Sequence, residues 1–482
     1  MSGVDLPQLP ALSRTAPLVP EARPTVDPAQ LRPRIVHFGL GAFHRAHQAV
    51  YTENAAARSG EPWGITAVAP RSAETVRALR DQDCLYSLTE RHPEGPRTRV
   101  VGSVVDALAM GPDAKAIGTL LADPEVTVVT LTVTEKGYQR LASTGGLDTA
   151  AVAADLAAAP DGPFTTVIGT LAAGLAARVR AGGAPITVVS CDNMADNGAV
   201  LGRVVREFVD ASHWPDRVRI MERIAETVRF PATVVDRIVP AVTEADRLAA
   251  ATALGVRDEL AVTAEPYRSW VLEDSFAAPR PPWELDGALF VRDVTPYQLT
   301  KLRLLNGSHS ALAYLGTAAG HTTIAETMAA SWGERLVQAL CAEVAPTLPA
   351  GGPDPSAYAD DLVVRFRNPA MHHLLRQIGS DGSLKITERW LPALRTLRAH
   401  GTSTPVLELA LAAWVLSTGR TDAPTDPAAG ALASCWDTAT APVETVRALL
   451  RVLGSTDLAD DHALTTAVAD RLPALRAGRV EI

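Results

Sequence analysis

The chain has 482 residues, more than a single hydrophobic core ordinarily serves, so two large domains are expected. Hydrophobic residues make up 47%, ample for globular cores, and a net charge of −9 argues against a nucleic-acid partner, whose phosphates demand a basic surface. No window approaches about 18 uninterrupted apolar residues, so no membrane span is expected.

Residues 1–33 are proline-rich, carry acid where a signal peptide needs an apolar run, and read as an extended arm of a cytoplasmic protein. Cys84, Cys191, Cys341 and Cys435 lie far apart with no CxxC spacing. Neither a disulfide framework nor a zinc site is expected, and a reducing compartment is the simpler reading. Of the 45 basic residues only four are lysines: Lys115, Lys136, Lys301 and Lys385. A lysine kept in so arginine-rich a chain is a candidate for what arginine cannot offer, a compact and titratable ammonium. Lys115, in the loop-like GPDAKA, reads as an incidental survivor.

From Arg34 strands and helices alternate. RIVHFG reads as a buried strand, followed by a glycine turn and a helix near residues 44–59. A second strand is expected over 63–70 and a helix near 72–80. TVVTLTVT (127–134) and ITVVSCD (186–192) are β-branched runs of parallel-strand character, separated by helical stretches over 148–160 and 164–181. VRFPATVVDRIVP (228–240) reads as one more strand with a proline-bounded loop. This alternation implies a doubly wound sheet. After about residue 290 strand signals vanish, and helices are expected over 297–346, 356–378, 387–399, 405–418 and 443–453. The expected fold is α/β: a Rossmann-type domain over 34–290, then an all-α domain over 291–482, with the ligand in the cleft between them.

Gly39-Leu40-Gly41 follows the first strand and precedes a helix beginning Ala42-Phe43-His44. Gly39 permits the tight turn, Gly41 lets a pyrophosphate approach the backbone, and the helix start supplies N–H groups. His44 stands where the third glycine of the dinucleotide fingerprint would fall. The second strand ends Val68-Ala69-Pro70-Arg71-Ser72, without the acid that would bind the ribose 2′-hydroxyl of NAD. Arg71 either meets a 2′-phosphate or is solvated, so NAD and NADP both stay open.

Lys301-Leu302-Arg303-Leu304-Leu305-Asn306-Gly307-Ser308-His309 is the most specific segment. On an α-helix Lys301, Asn306 and His309 fall within about 140° of one another. Three different polar functions on one face of an apolar helix suit alcohol–ketone interconversion. A lysine desolvated in a cleft can take and return the hydroxyl proton near neutral pH, and amide N–H groups can stabilise an oxyanion. A helix–helix hydrogen-bond cluster is the bland alternative. Ser190-Cys191-Asp192-Asn193 and Asn197-Gly198 follow a strand; their asparagines are either ligand groups or turn and cap formers. Glu135 is a proton relay or a partner of Lys136. Asp236 faces the ligand or pairs with Arg237, and Lys385 binds a carboxylate or is solvated.

With these segments in view the chain resembles the polyol-specific long-chain dehydrogenase/reductase family, which includes mannitol 2-dehydrogenase and fructuronate reductase. The matching segments are GLGAFHRAHQ (39–48), TVTEKGY (132–138), SCDNMADNG (190–198), FPATVVDRIVP (230–240), EPYRSWVLED (265–274), KLRLLNGSHS (301–310) and DGSLK (381–385), in order through the chain. The resemblance implies metal-independent, NAD(P)-dependent chemistry on a CH–OH group. It implies Lys301 as general acid/base, Asn306 as oxyanion donor and His309 as the substrate-orienting group. Asn197 is implied as second amide donor, with Asn193 the competing choice; Asp236, Lys385 and Glu135 fall to the substrate, and Gly39, Leu40, Gly41, Ala42, Phe43 and Arg71 to the cofactor. Gln298 and Gln377 stand where the mannitol branch resembles glutamate- and arginine-bearing segments, and QIGSDGSLK and TEKGY look closer to fructuronate reductase. The expected substrate is therefore a hexuronate, D-fructuronate reduced to D-mannonate. The alternatives are a free polyol, mannitol 1-phosphate held by Arg303, Arg365 or Arg367, a 3-hydroxy acid, and a non-catalytic NAD(H)-binding regulator. Monomer and homodimer stay open.

Overall fold

The computed structural model describes residues 9–141 and 143–482, so the first eight residues of the expected arm lie outside the described residues. The chain divides into two compact units at Val294/Thr295.

The strands of the first unit, in chain order, are β1 Arg32–Phe38, β2 Trp63–Ala69, β3 Tyr86–His92, β4 Gly95–Val101, β5 Val104–Ala109, β6 Val128–Leu131, β7 Ile186–Ser190, β8 Val228–Arg229, β9 Thr233–Asp236, β10 Val262–Ala264, β11 Ser269–Glu273 and β12 Leu289–Val291. Among the described residues six of them form a sheet in the order β5-β2-β1-β6-β7-β8, every pairing parallel. Without the inserted β3–β4 hairpin this is the Rossmann order, which reverses between its first and fourth strands, here β1 and β6. The hairpin pairs with β10, and β9, β11 and β12 make a third sheet. The helices of this unit are α1 Ala42–Ala46, α2 Gln48–Ser59, α3 Ala73–Asp81, α4 Ala114–Ala122, α5 Ala153–Leu156, α6 Val167–Arg180, α7 Asn197–Ala211, α8 Arg217–Thr227 and α9 Glu244–Leu254.

The central strands are apolar on both faces because both faces are covered. Val36 and Phe38 of β1 pack with Leu171 and Leu175 of α6 and Leu201 of α7, while Ile35 packs on the opposite side with Val50 of α2 and Trp270 of β11. Each such side chain, almost wholly removed from water, contributes roughly 1.5–3 kcal/mol. Residues 9–31 are not a free arm: they make two 3₁₀ turns and bury Leu12, Leu18 and Ala22 against Leu85, Val100 and Val256.

The second unit is helical: α10 Thr295–Thr300, a π-helical turn Lys301–Asn306, α11 Gly307–Ala318, α12 Ile324–Ala329, α13 Gly333–Val344, α14 Pro355–Phe366, α15 Leu375–Gly379, α16 Gly382–Arg389, α17 Leu391–Ala399, α18 Pro405–Thr418, α19 Ala429–Thr438, α20 Pro442–Val452, α21 Thr456–Asp460 and α22 His462–Arg476. α11 and α18 run through its core and bury Leu312, Leu315, Leu411 and Trp414.

Four expected elements are corrected. The helix over 356–378 ends early: α14 stops at Phe366, because Asn368 ahead of Pro369 is extended and leaves the helix, and only the short α15 follows. The helix over 297–346 breaks into α10, the π turn, α11, α12 and α13, with Gly320 in a left-handed conformation and Thr323 capping α12. Residues 148–160 hold only the short α5, since Asp155 turns its carboxylate onto Thr165 and Thr166 instead of extending a helix. The strand over 228–240 is two strands in two different sheets, because Pro231 lies between them and proline has no N–H for a ladder.

Candidate active site

β1 delivers the glycine turn to the switch point of the sheet, beside the end of β6. Gly39 takes a φ of 109°, and a Cβ there would collide with the Thr132 carbonyl, so only glycine fits. A Cβ on Gly41 would meet nothing nearer than the Gly39 carbonyl oxygen at 3.9 Å, which leaves its outer face open for a ligand. A cavity of about 370 Å³ opens there, lined by Gly39, Leu40, Gly41, Arg71, Thr132 and Thr134, among others. Arg71 is exposed at the end of β2, where Ser72 and Thr75 also line the cavity. Ala42 and Phe43 begin α1, and Phe43 stacks on His47 with ring centroids 5.0 Å apart.

The departure from the glycine fingerprint has a physical reason. His44 lies ring on ring over His37 of β1, centroids 3.4 Å apart and 11° from parallel. The third glycine normally allows close helix–strand packing; here two imidazoles fill that space. His37 is fully buried but satisfied: Nδ1 meets Thr130 Oγ1 at 2.7 Å, and Nε2 meets Gly39 O at 3.0 Å and Thr132 Oγ1 at 2.9 Å. Burial lowers its pKa to about 3 against the opposing pull of the Gly39 carbonyl. The ring thereby ties the glycine turn to the end of β6.

Thr134 is the strained residue of the site. Its φ of 65° and ψ of 164° fall in a region that is nearly glycine-only, and Thr is β-branched. Asp192 holds it there, accepting from Val133 N at 3.1 Å, Thr134 N at 2.8 Å and the Tyr138 hydroxyl at 2.8 Å. Burial raises the Asp192 pKa against those three donors. Sequence reasoning gave Asp192 and Thr134 no role. The Ser-Cys-Asp after β7 was the available signal, but its partners are about 60 residues upstream. Glu135 and Lys136 follow as exposed residues of a 3₁₀ turn.

The two asparagines after β7 differ sharply. Asn197 is buried; its Nδ2 donates to Asp192 O and Thr233 O, both at 3.0 Å, and its Oδ1 accepts from Thr233 N at 2.9 Å. Both amide hydrogens are spent on backbone carbonyls, so the expectation that Asn197 donates to a substrate oxygen is corrected: it is a structural clamp. Asn193, the competing choice, is exposed. Asp236 ends β9, buried, opposite Ser269. Arg237 turns instead to Glu90, to the Glu265 carbonyl and to Ala46 O.

In the second unit Lys301 and Asn306 open and close the π turn, both half-buried. The Gly307 N–H reaches back to Leu302 O, an i→i+5 bond. This wider turn shortens the angular step per residue, and so brings Lys301 and Asn306 nearer one face than an α-helix would. Single π turns occur frequently at functional sites. No residue pattern in the segment marks it. His309 is half-buried, stacked on Phe366 with centroids 4.3 Å apart, and its Nε2 has no hydrogen-bond partner among the described residues. Its pKa is held well below the usual imidazole value, first by desolvation and then by the basic neighbours His373, Arg365, Arg389 and Lys385. Lys385 of α16 donates to Ile378 O at 3.1 Å, and its pKa is lowered by burial and by Arg389. Arg303 bonds Thr347, and Arg367 pairs with Glu334. No group of histidine, cysteine and carboxylate side chains among the described residues is arranged to hold a metal ion.

Comparison with known proteins agrees with this architecture. Residues 33–285 match the mannitol dehydrogenase Rossmann domain, and residues 293–476 match the mannitol dehydrogenase C-terminal domain. An uncharacterized oxidoreductase of Escherichia coli, YdfI, is 42% identical over 415 residues, covering 84% of this chain and 83% of its own. The D-mannonate oxidoreductase of the same organism is 40% identical over 417 residues, covering 84% of each. The Pseudomonas fluorescens mannitol 2-dehydrogenase, solved as a ternary complex with NAD and D-mannitol, is 34% identical over 97% of both chains with a TM-score of 0.78. The chain belongs to the mannitol dehydrogenase family, and is a dehydrogenase of CH–OH groups whose Rossmann domain takes a nicotinamide dinucleotide.

Proposed function

We propose that the protein interconverts a secondary alcohol and a ketone of a sugar acid, a hexuronate of the D-fructuronate/D-mannonate kind, with NAD as its redox partner. The observation that carries the acid is the electrostatic surround of His309. The residues whose charge bears on it, His373, Arg365, Arg389 and Lys385, all have basic side chains, and the His373 ring lies edge-on with its centroid 5.9 Å away. A neutral polyol has no need of that field, whereas a carboxylate is attracted by it. The likeness to D-mannonate oxidoreductase points the same way.

The cavity at Gly39, Leu40 and Gly41 fits a dinucleotide: it is open where pyrophosphate would approach and lies at the switch point. Ala42 and Phe43 would add backbone N–H groups, and Arg71 would face the adenosine end. When bound, the nicotinamide supplies the hydride acceptor for oxidation and the hydride donor for reduction. In oxidation, Lys301 Nζ takes the hydroxyl proton while the C–H bond gives up its electron pair; in reduction, the same ammonium returns a proton to the ketone oxygen. Amide hydrogens of Asn306 and Asn193 donate to that oxygen as charge develops on it. His309, kept neutral by desolvation first and by its basic neighbours second, orients a sugar hydroxyl through Nε2, and Lys385 meets the carboxylate. Asp236 and Glu135 bind the remaining hydroxyls. The substrate is a free small molecule, and the four cysteines are free thiols, as a reducing cytoplasm favours.

The test is a panel of fructuronate, tagaturonate, fructose, mannitol and arabinitol, each with NAD(H) and NADP(H), followed at the NADH absorbance. The reading requires the uronates to give the highest kcat/KM and fails if a neutral sugar does. A free polyol is the second reading, favoured by the full-length likeness to a mannitol 2-dehydrogenase that holds D-mannitol. A phosphate ester has less support, since Arg303 and Arg367 already hold Thr347 and Glu334.

A further inference from the structure

A π turn needs something to hold it, because its widened ring departs from the better-packed α ladder on either side. In this chain the grip comes from the junction of α16 and α17. Arg389, the last residue of α16, donates from Nη1 to the Asn306 carbonyl at 3.1 Å and to the Ser310 hydroxyl at 2.8 Å. Trp390, the next residue, is buried and donates from Nε1 to the Gly307 carbonyl at 3.1 Å. A backbone carbonyl has two lone pairs, so each can serve the helix and a side-chain donor together. Consecutive residues at this junction thus hold the carbonyls of Asn306 and Gly307, and Arg389 also holds Ser310, on the far side of His309.

α16 is itself fixed. At its start Ser383 donates from its backbone N to Asp426 at 2.8 Å and from its hydroxyl at 2.6 Å. Gly382 has no room for a Cβ against Tyr314 and Trp414. One rigid helix therefore carries Lys385 in its middle and the grip on the π turn at its end.

We propose that Arg389 is a positioning residue, whose forked contact with Asn306 O and Ser310 Oγ sets the direction of the Asn306 amide and the His309 ring. The inference rests on the reading that Asn306 and His309 touch substrate. The guanidinium also adds positive charge beside His309, together with Arg365 of α14 and Lys385 of α16, and these, with the neighbouring His373, oppose protonation of the imidazole after desolvation has already lowered its pKa. Arg389 itself is half-buried, its pKa lowered to about 10 by desolvation against the pull of Tyr314 and Glu388.

The experiment compares Arg389→Met, Arg389→Lys and Lys301→Ala in the full chain, with kcat, KM for the sugar, NADH affinity by fluorescence, thermal midpoint and the pH profile of kcat/KM. Arg389→Met should lower kcat by about ten- to a hundredfold, the order expected for a misplacement near 1 Å. NADH affinity should hold within about twofold, and the acidic limb of the profile should move to higher pH as His309 protonates more readily. Arg389→Lys, which keeps the charge and a donor, should recover most of the kcat and return the limb toward its original position. The proposal is overturned if Arg389→Met keeps kcat within about twofold, if NADH affinity and thermal midpoint fall in step with kcat, or if kcat falls with the limb unmoved. Should Lys301→Ala also leave turnover intact, the reading of the site fails with it; should Lys301→Ala alone abolish turnover, only the role of Arg389 is lost.

Discussion

Asn197 and Thr233 bond each other from both ends of one side-chain amide, Nδ2 donating to the threonine carbonyl at 3.0 Å and Oδ1 accepting its N–H at 2.9 Å. The pair ties the start of α7 to β9 with no hydrogen left to offer a ligand. Asn197→Ala strands the buried Thr233 N–H and two carbonyls, which costs roughly 2–3 kcal/mol. The expected result is a lowered urea midpoint with per-molecule kcat little changed at low temperature. Asn193→Ala should do the reverse, keeping stability and losing about a hundredfold or more in kcat. A stable, inactive Asn197→Ala would restore Asn197 as the donor.

His37 predicts an acid weakness. Its folded pKa of about 3 lies below the unfolded imidazole value of 6.5, so only the unfolded chain takes a proton between them. The stability attached to this neutral ring is complete above pH 6.5 and is lost as pH falls toward 3. At pH 5 the loss is about 2 kcal/mol from this one group. Urea unfolding at pH 7.5 and pH 5 measures it, and His37→Gln, which does not titrate, should show a smaller decrement. Equal decrements in the two proteins would remove His37 as the cause.

Lys385 predicts substrate choice. Lys385→Met should raise KM for a uronate by about tenfold or more while leaving KM for a neutral polyol nearly unchanged, since only the first offers a carboxylate. Steady-state kinetics on both substrates decide it; parallel changes would show that Lys385 supports the fold and not the acid group.

Gly39→Ala should abolish dinucleotide binding, because the new Cβ meets the Thr132 carbonyl and the residue must still take a φ of 109°. Gly41→Ala places its methyl into open space and should spare the fold while weakening NADH binding, read by fluorescence titration. A Gly41→Ala protein with full affinity would mean that no ligand approaches there.

The α/β alternation and the helical second half were legible because buried β-branched runs and long alanine-rich stretches carry their own periodicity. What escaped was long-range. β10, β11 and β12 are short and take their strand character from partners, and the end of the π turn that begins at Lys301 meets Arg389 and Trp390 about 80 residues later. The same holds at the site. Asn193 and Asn197 look alike in sequence, and only the pairing with Thr233 tells them apart. His44 departs from the glycine fingerprint because His37, seven residues earlier, stacks against its ring.

Proton transfer by Lys301 is decided by Lys301→Ala, with kcat/KM on the best substrate and NADH affinity measured on the same preparation. The variant should lose about a hundred- to ten-thousandfold in kcat/KM with NADH affinity held within about twofold, and should partly recover when a small primary amine is added. Turnover kept within about tenfold, or NADH affinity lost in proportion, would contradict that role of Lys301.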